Sequence, residues 1–579
     1  MPTPQRTGQV VFTNKARCRD CYRCVRVCPV KAVRMEAGQA FVDEDRCLSC
    51  GTCIRECPQQ AKSFRNDIDR AARLLASGAL VAASIAPSFA SLFRDWERSR
   101  LPSALRTLGF RYVGETAIGA YHVAQRTAEI LQAEPGESHI GTACPAVVNY
   151  VERYAPDLVD RLVPLVSPML AHARHIKDKL GPETKVVFIG PCVAKKAEAD
   201  RPEHAGLVDC VLTFRELAEW LEQEGIALSS LEESSFDEEP EGEARYFPLV
   251  GGAVRTACLN SDLLASDIAG ASGFEEVREA LESLRHAGAP ALLEPLFCSL
   301  GCVNGPAVEC DRSLYERRAG VLEFARTRRG RTPEADAVHA GLDTAFLARS
   351  IGPQEEVTEE QIRHVLELTG KARVEDQLNC GACGYASCRE KAVAVLRGMA
   401  EPEMCLPHIR RLAERRTDRI IETSPNGIVI LDDHLNIISM NPAFRRLFMC
   451  SEGVSGKRIS YLMDPESFER LASGKEELIE AVVRHDRYNL ICHQVMYPLR
   501  EDRQYVGIFV NITNSRDNQA KLELLRAETI RQAEELLDHQ IKMAQSIARL
   551  LGESTARGEE LVEKLLGFTR DEQQRERQP

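Results

Sequence analysis

Two stretches near the N-terminus place cysteine in one frame, Cys18-x2-Cys21-x2-Cys24-x3-Cys28-Pro29 and Cys47-x2-Cys50-x2-Cys53-x3-Cys57-Pro58. A third group, Cys380, Cys383 and Cys388, lies among Gly381, Ala382, Gly384, Tyr385, Ala386 and Ser387, with Cys405 following just before Leu406 and Pro407. Between these groups stand four cysteines whose spacing alone says little. Cys144 sits in Gly-Thr-Ala-Cys-Pro (141–145), Cys192 in Gly-Pro-Cys-Val-Ala-Lys-Lys (190–196), and Cys298 and Cys302 in Glu-Pro-Leu-Phe-Cys-Ser-Leu-Gly-Cys-Val-Asn-Gly (294–305). Thiolates are soft ligands suited to iron–sulfur clusters or zinc, and three of them at two-residue gaps wrap one corner of a cubane through a tight turn. A small secreted domain would use 21 cysteines for disulfides, but here they cluster tightly in a chain of 579 residues, for which metal ligation is the better account.

The duplicated frame resembles the two-cluster bacterial ferredoxins. That resemblance implies that the fourth cysteine of each run crosses over, so that Cys18, Cys21, Cys24 and Cys57 hold one [4Fe-4S] cluster. Cys47, Cys50, Cys53 and Cys28 then hold the second, and the pair forms a short electron wire. The order of the three later strings resembles the motifs of the [FeFe]-hydrogenase catalytic domain, with further likeness at Ile85-Ala86-Pro87-Ser88, in 208–217 and at Gly251-Gly252. The likeness covers about residues 66–350. It implies that Cys144, Cys192, Cys298 and Cys302 hold a cubane and that Cys302 bridges to a two-iron subcluster with carbonyl and cyanide ligands, together the H-cluster. Iron-bound cyanide is anionic and accepts hydrogen bonds strongly, so a buried ammonium suits it. The resemblance gives that role to Lys195 and the other cyanide to Pro87 and Ser88. The third group resembles a small four-cysteine [4Fe-4S] domain, with Cys405 closing the site after a helix, which makes three accessory cubanes in all.

This chain departs from the catalytic members at one position that carries chemistry. They have a second cysteine before the first cubane ligand, and it passes protons; here the position is Ala143, whose methyl cannot relay one. Gly190 and Leu296 stand where methionines flank the cluster, Glu129 is expected to keep one carboxylate of the proton path, and Arg126 to replace the other. The alanine resembles the sensory branches of the family.

The elements that must position these groups are modular, because 579 residues exceed one core and predict three to five domains. The expected units are a ferredoxin-like module (1–65), a hydrogenase-like α/β core (66–352), a small helical four-cysteine domain (358–415), a PAS-like α+β domain (416–515) and a helical tail (516–579). The overall class is multidomain α/β and α+β. A net charge of −12, with 44% apolar and 28% charged residues, argues against nucleic acid or anionic lipid as the main partner. Residues 74–93 carry no charge, yet Gly78 and Pro87 punctuate them. They read as a helix end, a buried strand over 79–85 and a turn rather than a membrane span. With no apolar leader segment at the N-terminus, a cytoplasmic protein is expected.

From about residue 417 the pattern changes. Runs over 428–432 and 435–440 joined by Asp432-Asp433 predict a hairpin, Asn441 caps a following helix, and a closing strand ends near Ile512-Thr513. This resembles a PAS domain, whose ligand no motif identifies. His434 is expected in solvent, and Cys210, Cys258, Cys310, Cys450 and Cys492 are expected as buried thiols. In the tail, Leu522, Leu525, Thr529, Ala533, Leu536, Gln540, Met543, Ile547 and Leu550 recur at steps of three and four, which predicts an amphipathic helix and a parallel coiled-coil homodimer. A shorter helix is expected over 554–568. His539 has no ATP-binding domain after it and is not expected to accept phosphate.

Taken together these readings predict a hydrogen- or redox-responsive regulator with slow H2 turnover. Its partners would be H2 and protons, a redox partner such as ferredoxin, and a downstream signalling protein. The alternatives are a fast ferredoxin-linked hydrogenase, or an electron-transfer scaffold without the two-iron group.

Overall fold

The computed structural model describes residues 9–259, 267–286, 290–327, 341–349, 351, 356–499, 503–513, 528, 529 and 531. Two compact units divide the chain, 1–411 and 412–579. Apart from Thr529, the predicted dimerising stripe, the helix over 554–568 and His539 lie outside the described residues.

In the first unit, each N-terminal cysteine run leads into a short helix, Arg23–Val27 and Thr52–Arg55, and antiparallel pairs flank them: Val11–Thr13 with Lys62–Phe64, and Val33–Glu36 with Gln39–Val42. The uncharged stretch 74–93 resolves as predicted. Helix Ile68–Ala76 stops before Gly78 at φ +77°, and strand Val81–Ile85, buried at every position, leads into a 3-10 turn at Pro87–Ser91. A parallel strand covered on both faces needs such a continuous apolar run. Among the described residues no helix is long and apolar enough to cross a membrane.

Val81–Ile85 lies second in a four-stranded parallel sheet, in the order Tyr112–Glu115, Val81–Ile85, Lys185–Gly190, Cys210–Thr213. A second parallel sheet runs Ile268–Ser272, Leu292–Leu296, His139–Ile140. In parallel sheets the loops leaving the carboxyl ends of the strands converge on a crevice, where ligands bind. The three cysteine motifs and the Pro87-Ser88 turn occupy such loops: Pro87-Ser88 follows Ile85, Cys144 follows Ile140, Cys192 follows Gly190, and Cys298 follows Leu296.

One hydrophobic core joins three of the predicted modules. Cys24, Cys28 and Leu48 from the N-terminal region pack with Ile140, Val147 and Leu293 and with Tyr385, Met399 and Met404. Each fully buried aliphatic side chain contributes roughly 1.5–3 kcal/mol, so this shared core docks the cysteine sites firmly.

The second unit contains a five-stranded antiparallel sheet in the order Ile437–Met440, Gly427–Leu431, Gln504–Asn511, Leu490–Leu499, Ile479–His485. Phe444, Phe448, Phe468 and Phe509 fill its core. The predicted hairpin and cap are present: Asn441 Oδ1 accepts from the Phe444 amide at 2.8 Å. His434 is exposed.

Candidate metal centre

The structure gathers the cysteines into sets. Cys24 is close enough to Cys18, Cys21 and Cys57 to feel their charge, and Cys53 lies in the same way near Cys47, Cys50 and Cys28. The crossed sets implied by the duplicated frame are therefore brought together. Cys144, Cys192, Cys298 and Cys302 form another set, and Cys380, Cys383, Cys388 and Cys405 line one small pocket. Burial pushes the Cys24 thiol up to about 11, Cys47 and Cys192 up to about 12, and Cys53 and Cys298 well above the ordinary thiol range. Thiols this shielded ionise when a bound metal supplies positive charge, which suits iron–sulfur ligation. None of the 21 cysteines is in a disulfide.

Glycines bring the central set together. At Gly301, φ +88°, a side chain would strike the Pro248 carbonyl, which here accepts from the Cys302 amide at 2.8 Å. Gly305 lies equally close to the Pro191 carbonyl, seating the third motif against the second. Gly51, φ +75°, lets the second N-terminal run approach the core, since a Cβ there would stand 2.6 Å from the Pro306 ring. Arg55 Nη1 to Asn304 O at 3.2 Å and Asn149 Nδ2 to Leu48 O at 3.2 Å hold that approach. Cys50 is thereby near enough to Cys298 to affect its ionisation.

Beside Cys144, Cys192 and Cys302 lies a cavity of about 90 Å³. Pro87, Ser88, Ala143 and Lys195, all singled out from sequence, line it. Ser88 Oγ is buried without a hydrogen-bond partner. A buried hydroxyl left so is rare and calls for a ligand or water, and together with the sulfur donors it fits a group carrying anionic acceptors. Lys195 is buried, with Nζ 2.7 Å from Glu198 Oε2 and 3.3 Å from Ala143 O. Most of the remaining wall is apolar, including Met169, Phe188, Phe247 and Leu296.

Several features escaped the sequence reading. Glu198 balances Lys195, and Thr116, just before helix Ala117–Ala133, and Met169, in the first turn of helix Pro168–Leu180, face the cavity from positions that no motif marks. Glu294, inside the third motif, is buried, accepts from the Ala253 amide at 3.0 Å, and is pushed by burial up to about 7. Glu129 is an exposed partner of Arg126 at 2.6 Å on helix Ala117–Ala133 and is not among the residues that line the cavity. One expectation is corrected. Cys258 is exposed rather than buried, at φ +56° just past helix Gly252–Thr256. Cys210 and Cys492 are buried as expected, while Cys310 and Cys450 are partly so.

At the fourth cysteine set, Lys371 Nζ donates to Cys405 Sγ at 2.9 Å, and Lys391 is buried nearby. Gly384, φ +95°, packs on the backbone of Val25 and Arg26, and Arg26 Nη1 donates to Ala382 O at 2.9 Å.

Comparison with known families and proteins agrees with this layout. Residues 79–306 match the iron only hydrogenase large subunit, C-terminal domain; 17–61 match a 4Fe-4S dicluster domain, 376–407 an Fe-S cluster family and 415–483 a PAS domain. Iron hydrogenase 1 of Clostridium pasteurianum is 27% identical over 281 residues, covering 40% of this chain and 49% of that protein. The cytosolic Fe-S cluster assembly factor NAR1 of Vanderwaltozyma polyspora is 34% identical over 120 residues, covering 20% of this chain and 22% of that protein. The chain thus spans about half the length of the first relative and about a fifth of the second. Among solved structures, the apo [FeFe]-hydrogenase of Chlamydomonas reinhardtii is 19% identical with a TM-score of 0.40, covering 50% of this chain and 100% of that one.

Proposed function

We propose that this iron–sulfur protein, hydrogenase-like in its core and joined to a PAS domain, registers hydrogen or redox state and turns H2 over slowly. The observation that carries the reading is the cavity wall. Cysteine sulfur, the Lys195 ammonium and the unpartnered Ser88 hydroxyl stand on it together, with the Ala143 methyl beside them.

Cys144, Cys192, Cys298 and Cys302 would hold a cubane, with Cys302 bridging to the two-iron part of an H-cluster. When bound, that group supplies the reversible conversion of two protons and two electrons into H2. Lys195 and Ser88 present donors to anionic ligands, and Glu198 keeps the ammonium oriented toward the wall. The apolar side chains exclude water, which strengthens each of these hydrogen bonds. Electrons reach the site through the two N-terminal cysteine sets, the nearer of which includes Cys50, with the Cys380 set as a third accessory cluster. Ala143 offers no acid or base, so a fast proton step of the cysteine kind is missing. A redox partner such as ferredoxin would feed the wire. The PAS domain and helical tail would carry the state to a downstream protein, as a homodimer.

The test is infrared spectroscopy of protein matured with its two-iron cofactor. Metal-bound carbonyl and cyanide bands that shift under H2 are expected. If verified maturation gives iron but no such bands, the chain is an electron-transfer or assembly scaffold, the reading the shorter match to NAR1 favours. Ala143→Cys should then raise turnover by about a hundredfold; turnover already high in the parent and unchanged in the variant would refute the slow-sensor reading.

A further inference from the structure

The cavity that lacks a proton-carrying cysteine has a second polar path out of it. Thr116, on the cavity wall, follows the strand Tyr112–Glu115. Its Oγ1 lies 2.8 Å from Ser84 Oγ, and Ser84 Oγ lies 2.8 Å from His172 Nδ1. All three side chains are buried. His172 Nε2, the far end of this chain, is buried with no hydrogen-bond partner. Beyond it the His172 and His175 rings stack at 6.1 Å between centroids, and His122 stacks on His175 at 5.8 Å. His175 Nε2 is 3.0 Å from both oxygens of Glu238, which also accepts from Lys179 and from Tyr112 OH at 3.1 Å. Lys179 is 44% exposed, so this end meets solvent.

The scaffold makes room for the inner ring. A Cβ at Gly119 would stand 2.4 Å from the His172 amide nitrogen, and one at Gly114 would stand 3.0 Å from His172 Cε1. Two hydroxyls and an imidazole in a parallel-sheet core are costly unless mutually hydrogen-bonded, and here they are bonded in a row that starts at the cavity.

We propose that Thr116, Ser84 and His172 form a proton relay between the cavity and the His175 and Glu238 pair, which Lys179 joins to the surface, standing in for the cysteine absent at position 143. This inference rests on the proposed occupant of the cavity. For each proton delivered inward, Thr116 Oγ1 gives one proton to the cavity and takes one from Ser84 Oγ. Ser84 takes one from His172 Nδ1, and His172 takes one at Nε2. Outward transfer reverses each step, and no electron moves along the row. His172 Nε2 makes no hydrogen bond to the protein, so transfer between it and the His175 ring calls for one intervening water.

A neutral imidazole suits an inner relay because it has one donor and one acceptor nitrogen. Burial first, then the neighbouring His175 charge, holds His172 down at about 3. At the outer end, hydrogen bonds from His175 and Lys179 outweigh burial and keep the Glu238 carboxyl below its usual range.

The test uses the full matured chain and removes single atoms. Thr116→Val keeps shape and loses the hydroxyl; Ser84→Ala loses one oxygen. Two readouts are taken: isotope exchange between H2 and D2O, and the rate of proton uptake on rapid reduction, followed with an indicator dye. Both should fall by about a hundredfold in each variant, with the carbonyl and cyanide bands unchanged. Adding Ala143→Cys to Thr116→Val should restore both, since a second donor bypasses the row, whereas it would not repair a distorted site. Unchanged exchange and uptake in both variants, or no restoration by the cysteine, would overturn the relay. Missing bands in the parent chain would instead refute the occupant, and the relay with it.

Discussion

Two cysteine sites in the first unit use buried lysine in opposite ways. At the Cys380 set, Lys371 Nζ lies directly on Cys405 Sγ at 2.9 Å, and the pocket leaves only about 10 Å³. At the Cys144 set, Lys195 stays off the sulfurs, is balanced by Glu198 at 2.7 Å, and faces about 90 Å³ of space. A cationic donor on a cluster sulfur stabilises an added electron and raises the reduction potential. A balanced ammonium at the edge of an apolar chamber instead presents a donor to something beyond the cluster. On the proposed reading, one site would hold an electron and the other a ligand next to its cluster.

The severest way to break this contrast is to remove a cysteine from each site. In the matured protein Cys383→Ala should lower iron by about four per chain and Cys298→Ala by about six, since its cubane and the two-iron group are lost together. Only Cys298→Ala should abolish the carbonyl and cyanide bands, and loss of the bands in both would erase the distinction. The lysines come next. Lys371→Met should lower the potential of one [4Fe-4S] signal by roughly 60 mV, the equivalent of about a tenfold change for one electron, in a redox titration followed by electron paramagnetic resonance. Lys195→Met should leave every cluster potential in place and weaken retention of the two-iron group; a shifted potential with full retention would contradict its assigned role. The mildest probe is the docking of the N-terminal clusters onto each site. Gly51→Ala and Gly384→Ala both force a side chain into the left-handed region at φ +75° and +95°, a cost of roughly 1–2 kcal/mol. Gly51→Ala should lower the thermal midpoint more, because its Cβ meets the Pro306 ring at 2.6 Å, while that of Gly384 stands 3.0 Å from Val25 Cγ1. Equal shifts would mean that the two contacts are equally tight.

What could be read from sequence was what chemistry forces to be local. A cubane corner needs cysteines two residues apart, so the N-terminal frames and the Cys380 set were visible, as were Asn441 as a cap and the buried strand ending at Ile85. Pro87, Ser88, Ala143 and Lys195 were legible through motif order, and the structure brings them to one cavity. Glu198, Met169 and Thr116 were not, because they reach that cavity from separate helix and loop positions with no spacing of their own. Which way Glu129 faces was hidden for a related reason: a carboxylate on a helix shows its face only when the helix has been packed, and here Glu129 is exposed.

The position of Cys28 and Cys50 has a consequence for electron traffic. Both belong to the donor set of the second N-terminal cluster. Cys50 adjoins Cys298, while Tyr385 and Lys31 each lie within the field of both Cys28 and Cys383. On the proposed reading, the second N-terminal cysteine set would be a junction with two exits rather than a link in a single line. With clusters bound as proposed, electrons arriving there would divide between the Cys380 set and the chamber according to the potentials of those two sites.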